Sequence, residues 1–315
     1  MKNDTIMNIG PATGYCPSAK FAARISIVLL CTMAFPVSGQ DYQWWNNKHH
    51  WDGHSSWTEY LIISPSYLGP NALPVPEVRK GSPTGEGFFR LGVDGHYHRG
   101  GKTGNLYSRF FTPLFSSRVG LNLSYVPMEV YRTDTVTRDL RRSREYDARG
   151  VSLGDLYVGT CIHLVQEDNR VPDIMLSLHL KTASGTRLEA ARHTDAPGYY
   201  VDLSAGKSFA PAGKSGITRI YGMIGFYAYQ TYLTNYLQND AILYGTGVDV
   251  KAGRLQMEHQ LGGYAGYLDN GDRPLVYRLH LRLDLRSPFS PELRFQRGLN
   301  DFPFTSFRIA VSYRF

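Results

Sequence analysis

The side chains in this sequence that could do chemistry are charged residues spaced two apart. Within 275–285, Arg278, His280, Arg282 and Asp284 alternate with apolar residues. In an extended strand, such spacing puts every charge on one face. That face can line an aqueous channel whose charges select solutes, or its charges can pair in ladders that fill a narrow interior. The sequence leaves both alternatives open.

Similar spacing in other segments extends this set of charges. Across the hairpin that follows Glu258, centred near Asn270, we expect Glu258 to face Arg282. The residues predicted to share the charged face are Arg90, Asp94, Asp155, His179, Lys181, Asp202, Asp249, Glu258, Arg278, His280, Arg282, Asp284, Glu292, Arg294, Arg308 and Arg314.

The histidines suggest a metal site that the rest of the sequence does not complete. Three of them cluster in the Trp-rich segment 44–54, while His96 and His98 share one strand face. A histidine pair at this spacing can bind a metal, but no cysteine or well-placed carboxylate completes a ligand set. We therefore predict no metal and no cofactor. Because tryptophan is enriched at membrane interfaces, the segment 44–54 is expected at the periplasmic interface.

Hydrolytic chemistry has few candidates. Ser55 and Ser56 adjoin His54, and His193 with Asp195 could form an acid/base pair on a loop. Neighbours in sequence rarely have the geometry of a nucleophile and its base, and no G-x-S-x-G motif is present. The Asp195 region also reads as a turn built by Asp and Pro. An enzyme acting on lipid or peptide is thus the third hypothesis, without a predicted catalytic residue.

An arginine-rich stretch at 132–149 contains six arginines and four acidic residues. If this stretch lies on the outer rim of a membrane-spanning barrel, the guanidinium groups of Arg138, Arg141, Arg142 and Arg144 could bind lipopolysaccharide phosphates. The alternative is a solvated charge run that pairs with itself. Nucleic acid is not an expected partner despite a pI of about 9.2, because basic and acidic residues are interleaved.

The elements that position these residues are alternating strands. Hydrophobic residues make up 42% of the 315 residues and mean hydropathy is -0.30, which excludes a multispan helical membrane protein. Alternating segments of about ten residues separated by turns are typical of a transmembrane β-barrel. Twelve segments fit this pattern, an even number as such barrels require: 85–98, 103–112, 117–131, 149–165, 172–183, 198–209, 217–230, 240–251, 254–266, 274–286, 289–298 and 305–315.

The connections support an all-β, up-and-down antiparallel barrel. If Phe315 ends in the periplasm, that side receives short turns at 113–116, 166–171, 210–216, 252–253 and 287–288. The longest loops, 132–148 and 184–197, fall on the opposite side, as expected for an outer-membrane barrel. Aromatic residues near strand ends could form the interfacial girdles: Phe88, Phe89, Tyr107, Phe110, Phe111, Tyr199, Tyr200, Tyr227, Tyr229, Tyr264 and Tyr267.

Two segments precede the predicted barrel. Residues 1–39 read as a secretory signal peptide, with Lys20 and Arg24 before the apolar run 25–35; translation could start at Met1 or Met7. Cys161 is then the one cysteine left, so no internal disulfide can form. The Pro-rich segment 40–84 is either a periplasmic tail or a plug in the lumen.

Several runs resemble uncharacterised outer-membrane barrels of Bacteroidota-type bacteria: GDLYVGT (154–160), LKTASG (180–185), ARHTDAPGYYVDL (191–203), LQNDAILYGTG (237–247) and GDRPLVYR (271–278). The GDL strand and its following hairpin are more distantly similar to barrels of the meta-pathway of phenol degradation. The final alternating strand ending in Phe315 resembles the signal read by the barrel-assembly machinery. The resemblance implies a barrel fold and no activity.

The sequence therefore predicts a barrel of about twelve strands in the outer membrane of a Gram-negative bacterium, in contact with the lipid and lipopolysaccharide of that membrane. Passive passage or facilitated transport of small solutes is the first functional hypothesis. A non-conducting structural barrel that presents loops 132–148 and 184–197 to a partner is the second. Whether the lumen is open distinguishes the two.

Overall fold

The computed structural model describes residues 41–210 and 216–315, and within them a closed antiparallel β-barrel forms the wall of the molecule. With one interruption, strands that follow each other along the chain pair with each other, and the first strand pairs with the last to close the ring. The strands are β1 (Phe88–His98), β2 (Gly101–Leu114), β3 (Ser116–Thr133), β4 (Arg149–Ser152), β5 (Tyr157–Val165), β6 (Asp173–Lys181), β7 (Gly198–Phe209), β8 (Ile217–Leu233), β9 (Tyr236–Ala252), β10 (Leu255–Ala265), β11 (Leu275–Leu283), β12 (Phe289–Asn300) and β13 (Thr305–Arg314).

The predicted twelve-strand barrel is confirmed. Strands β4 and β5 both pair with β3, so they are the two parts of one interrupted wall strand. The predicted signal peptide and most of the predicted turn 210–216 lie outside the described residues.

The outer face of the wall is apolar, as strand alternation requires. On β13, Phe307, Ile309 and Val311 are 45–69% exposed, whereas Ala310 and Ser312 between and beyond them are buried. The same parity continues on the neighbouring strands. A closed barrel satisfies its backbone hydrogen bonds internally and presents this apolar face to lipid. The protein is thus an outer-membrane β-barrel.

Among the described residues, none of the helices has the length and apolar character needed to cross a bilayer.

The two ends of the barrel differ. One end, the turn end, has the connections 115, 166–172, 253–254 and 284–288 together with Phe315. The other, the loop end, has the longest connections, at 134–148 and 182–197. The loop at 134–148 contains helix α2 (Thr135–Leu140), capped by the Asp134 side chain, and the second contains a short 3-10 helix, Leu188–Ala190.

Residues 61–84, called the inner segment below, run through the lumen from the loop end to the turn end. Near the loop end, Ser64 Oγ donates to the Asn270 carbonyl at 3.0 Å. The hydroxyl of Tyr264 donates to the Leu73 carbonyl at 3.1 Å.

Closer to the turn end, Arg278 Nη1 donates to the Pro76 carbonyl at 2.9 Å, and Arg219 Nε donates to the Lys80 carbonyl at 3.0 Å. The chain then leaves the lumen and enters β1 at Phe88. Of the two predicted alternatives, the contacts correspond to a segment inside the lumen.

An apolar core joins the inner segment to one side of the wall. Its buried inner-segment members are Leu61, Ile63, Leu68, Ala72, Leu73, Val75 and Val78. They pack against tyrosines and aliphatic side chains of β7 to β11. Four tyrosines predicted for the interfacial girdle, Tyr200, Tyr227, Tyr229 and Tyr264, belong to this core instead. Phe111 is also buried inside, whereas Tyr199, one residue before Tyr200, is 41% exposed on the outer face.

From Trp45 onward, the Trp-rich segment lies at the loop end, opposite the end that contains Phe315. The predicted periplasmic position of this segment and the predicted periplasmic position of Phe315 therefore cannot both hold. Helix α1 (Gln43–His49) and the 3-10 helix Trp57–Tyr60 belong to this part of the chain. Trp45 Nε1 donates to the Arg142 carbonyl at 2.9 Å, and Arg142 Nη1 donates to the Tyr60 carbonyl at 3.2 Å. The Arg144 guanidinium lies 5.1 Å from one ring, Trp45, and 5.0 Å from the other, Trp57. These tryptophans therefore bind arginine, an interaction that tryptophan rings favour, and residues 45–60 form a cap over the loop 134–148.

Candidate functional site

In the described part of the chain, a cavity of about 500 Å³ lies in the turn-end half of the lumen. It lies between the inner segment and the inner faces of the wall, and residues 83–86 lie at its mouth. Toward the loop end, the inner segment separates it from a smaller cavity of about 140 Å³ that is lined by Asp94, Tyr107 and Arg308, among others. The lumen is thus open at the turn end and filled toward the loop end.

One carboxylate of the inner segment binds two wall arginines. Glu77 accepts from Arg109 Nη1 at 2.6 Å and from Arg294 Nη1 at 3.2 Å. Both arginines face inward because they occupy inward positions of β2 and β12. Charge-assisted bonds of this kind are stronger than neutral ones, so Glu77 fixes the inner segment to the wall.

A lysine of the inner segment forms a second connection. Lys80 Nζ lies 2.6 Å from Asp249 Oδ2 and 2.8 Å from Glu258 Oε2. Glu258 also lies 3.7 Å from His280 Nδ1, and His280 Nε2 lies 2.9 Å from Glu292. These five groups form a continuous network that joins Lys80 to β9, β10, β11 and β12.

The predicted pairing of Glu258 with Arg282 is wrong. In the β10–β11 register, Glu258 is opposite His280 and Arg282 is opposite Gln256. The hairpin is centred at Asp269, one residue before the predicted centre at Asn270, and a shift of one residue in the centre moves the cross-strand partner by two. The side chain of Arg282 instead bonds to Asp284 at 3.1 Å.

Other predicted inward charges pair along the wall. Arg90 Nε lies 2.9 Å from Glu292, and Arg308 Nη2 donates to Asp94 Oδ2 at 2.8 Å. Arg278 bonds to Gln296 and to two carbonyls of the inner segment. At the mouth of the cavity, Asp284 lies within 4 Å of three cations, Lys251, Arg282 and Arg314.

The remaining predicted charges lie on β5 to β7. Lys181 Nζ is 2.8 Å from Asp155, and both side chains are almost fully buried near the loop end, away from the cavity. His179 stacks on the Tyr200 ring and its Nε2 lies 2.8 Å from Arg79 Nη2. Asp202 is buried opposite Ser177. The structure therefore places the sixteen predicted lumen residues on the inner face, but not in a single site.

A buried ionic cluster at the loop end was not predicted. Glu129 accepts from Arg192 Nε at 2.9 Å and from Asn71 Nδ2 of the inner segment at 2.7 Å, and it lies 3.5 Å from His193 Nε2. Parity carried along β3 would have placed Glu129 outward, because the register irregularity opposite 106–108 moves the inward positions from even numbers, as at Asn122, to odd ones. Only its place between the apolar, exposed Met128 and Val130 could have identified Glu129 as inward. Arg192 lies on a loop, where alternation gives no information.

The candidate hydrolytic pair is not assembled in this structure. His193 is fully buried beside Glu129, and Asp195 instead accepts a hydrogen bond from the Tyr232 hydroxyl. Ser55 Oγ donates to Asp52, so its hydroxyl is directed to a carboxylate. In the described ranges 41–210 and 216–315, no group of three or more His, Cys, Asp or Glu residues could hold a metal ion.

Three of the four loop arginines predicted to bind lipopolysaccharide are directed into the protein. Arg138 donates to the Tyr146 carbonyl, and the Arg141 guanidinium lies 5.6 Å from the Phe304 ring. Burial, together with repulsion from Arg192, lowers the pKa of Arg141 to about 9. Arg144 lies between two tryptophan rings, as described above. Arg142 remains exposed, and its contact with lipopolysaccharide stays a prediction.

At the turn end, a carboxylate in the loop 166–172 helps to anchor the inner segment. Arg219 donates to Glu167 Oε2 at 2.8 Å, and it also binds the Lys80 carbonyl. Burial raises the pKa of Glu167, but the hydrogen bonds from Ser208 and Arg219 outweigh that effect and hold the pKa below its usual value of 4.5.

No protein-family model matches the chain, and no curated protein is similar to it in sequence. Among solved structures, a KdgM porin in complex with disordered oligogalacturonate is 12% identical, with a TM-score of 0.43, covering 72% of this chain and 99% of that one. The COG4313 outer membrane channel from Pseudomonas putida F1 is 13% identical, with a TM-score of 0.49, covering 78% and 97%. LpxR from Salmonella typhimurium is 8% identical, with a TM-score of 0.45, covering 72% and 100%. These similarities concern the barrel fold alone, and the resemblance to Bacteroidota-type and phenol-degradation barrels stays a prediction.

Proposed function

We propose that this barrel is a gated outer-membrane channel for small solutes. The observation that carries the proposal is that the turn-end cavity is separated from the loop end by the inner segment, which is not part of the wall. Twelve strands lie between the eight that side chains fill and the sixteen that leave a channel. The position of the inner segment therefore decides whether such a lumen conducts.

In the conformation described, the channel is closed. The apolar half of the inner segment fills the loop-end lumen, and ion pairs at Glu77 and Lys80 hold its other half. Since the segment is continuous with β1 at one end and with the cap at the other, opening is a local shift within the lumen and not an exit from it.

A second candidate is the non-conducting barrel that presents its outer loops, 132–148 and 184–197, to a partner. The extensive apolar core inside the lumen and the cap packed on the first of these loops favour it. A barrel of this kind would hold the loop end rigid and would pass no current.

A cross-link between the inner segment and the wall separates the two candidates in the full chain. A Cβ placed on Gly262 would lie 3.0 Å from Val78 Cγ2, close to the separation of a Cβ and the partner sulfur in a disulfide. We therefore choose the pair Val78→Cys and Gly262→Cys in a Cys161→Ser background, with the two single-cysteine proteins as matched controls.

Single-channel recording in a planar bilayer gives the readout. If the barrel is a gated channel, the parent protein passes current. The double-cysteine protein loses this current when its disulfide forms and regains it on reduction, while the single-cysteine controls conduct equally in both redox states. Silence of the parent and of the reduced protein, with the barrel folded, would establish the non-conducting candidate. Equal current in oxidised and reduced states would show that the inner segment is not the gate.

A further inference from the structure

The turn-end cavity carries more cationic than anionic groups. Nine arginine and lysine side chains line it, whereas four glutamates do so. Three more carboxylates, Asp94, Asp249 and Asp284, pair with lining cations from the edge of the cavity. Nine cations therefore face seven carboxylates, and Asp284 is in addition shared with Lys251. Buried charges are normally paired, so this surplus calls for an explanation.

Two of the guanidinium groups have neutral partners only. Arg278 is 3% exposed and bonds to an amide and two carbonyl oxygens. Arg79 bonds to His179 and to the Tyr200 hydroxyl, and its buried Nε has no hydrogen-bond partner. Within the described residues, no carboxylate lies within 4 Å of either group. The Asp202 carboxylate interacts electrostatically with Arg79, but from more than 4 Å away.

An apolar surface lies next to these cations. Phe88, Phe111, Met175 and Cys161 form a small cluster on β1, β2, β5 and β6 that lines the same cavity. The Phe88 and Phe111 rings stack with centroids 5.7 Å apart. A ligand that contacts both surfaces needs an anionic group for the guanidinium groups and an apolar body for the aromatic cluster.

We propose that the turn-end cavity binds a small organic anion that has a carboxylate at one end and an apolar, aromatic-sized body at the other. A cavity of about 500 Å³ falls within the roughly 300–1,000 Å³ usual for small-molecule sites. The anion supplies the direct carboxylate contact that Arg79 lacks, and its body covers Phe88 and Phe111. The proposal names the solute class for the channel proposed above, but the binding itself does not require conduction.

Calorimetric titration of the refolded full chain in detergent tests the proposal, with benzoate as the probe. Benzyl alcohol has the same body without the charge, and inorganic phosphate has charge without the body. We expect saturable binding of benzoate and at least tenfold weaker binding of each of the other two. If the probes only adsorbed to detergent or to the apolar outer wall, neutral benzyl alcohol would bind at least as strongly as benzoate. A preference for benzoate therefore excludes such adsorption.

Substitutions locate the site. Arg79→Gln should weaken benzoate binding about tenfold or more, since a charge-assisted bond is lost, and Arg314→Gln, at the partly exposed mouth, should weaken it a few-fold without threatening the fold. Arg254→Gln, on the exposed turn 253–254 at the same end, is the matched control and should bind as the parent does.

Three results would overturn the proposal: no saturable benzoate binding, equal binding of benzoate and benzyl alcohol or phosphate, or equal affinities in the Arg79, Arg314 and Arg254 variants. Benzoate binding by a barrel that passes no current would keep this proposal and refute the channel. Current without benzoate binding would do the reverse.

Discussion

Replacing Lys80 by Met should increase the fraction of time the barrel conducts. Lys80 connects the inner segment to Asp249 and Glu258 on the wall at 2.6 and 2.8 Å. Methionine keeps most of the side-chain volume and removes the charge. Since both contacts hold the closed arrangement, their loss destabilises that arrangement relative to any open one.

The magnitude can be estimated from burial. Removing one partner of a fully buried ion pair costs about 3–5 kcal/mol. The Lys80 side chain is 29% exposed, and Glu258 keeps its contact with His280. We therefore expect a cost of about 2 kcal/mol, toward the lower limit of charge-pair truncations. At about 1.4 kcal/mol per factor of ten, the ratio of open to closed states should rise about 30-fold.

The assay is single-channel recording, with the open fraction as the measured quantity. Lys251→Met is the matched control, because it removes the same charge at the same end of the barrel from a lysine that binds Asp284 on the wall. Its open fraction should stay close to that of the parent. An unchanged open fraction in folded Lys80→Met protein, or an equal rise in both variants, would refute the reasoning.

Three further predictions concern stability, pH and orientation. Leu73→Ala, in the core between inner segment and wall, should lower the free energy of unfolding by about 2–4 kcal/mol, whereas Leu140→Ala, 60% exposed, should change it little; equal losses in urea titrations would contradict the core. The Glu167 pKa is lowered in the folded state, so its contribution is present above the unfolded pKa of about 4.5 and is lost as pH falls through the folded value. Glu167→Gln should therefore lower the unfolding midpoint at neutral pH and converge with the parent in acid, and a constant difference at all pH values would exclude this linkage. With the turn end in the periplasm, a cysteine at His54 should react with a membrane-impermeant maleimide on intact cells and one at Arg254 should not; the reverse pattern would invert the barrel.

Strand parity was enough to predict the wall and most of the inward charges, although Arg109, Glu129 and Arg219 were not among the charges predicted to face inward. Alternation over about ten residues located every wall strand, because lipid outside and polar groups inside impose opposite requirements on successive residues. Alternation could not predict the interruption between β4 and β5, since both parts pair with the same strand, β3. Parity also separates Tyr199 from Tyr200, but an aromatic residue near a strand end fits a girdle as well as a core.

The route of the inner segment could not be predicted, because its prolines say only that it is not a regular strand. Its partners are distant in sequence: Glu77 binds Arg109 and Arg294 from two strands. The cluster of Glu129 with Arg192 depends on a loop that folds back over the lumen, and no periodicity describes such a loop. The sequence therefore predicted many of the residues that face inward, and the tertiary structure decided which of them meet.

The path of the inner segment constrains the order in which the molecule can be assembled. The inner segment passes through the closed barrel, with the cap at the loop end and β1 continuing from the turn end. The seam between β1 and β13 runs from Phe88 opposite Arg314 to Tyr97 opposite Thr305. If this seam pairs after the sheet has curved around the inner segment, the segment is enclosed as the barrel closes; if it pairs before, the cap must pass through the closed lumen. Pairing of the first strand with the last therefore encloses the inner segment. Once these strands have paired, the segment can leave the lumen only if their pairing is broken or if the cap is pulled through the lumen.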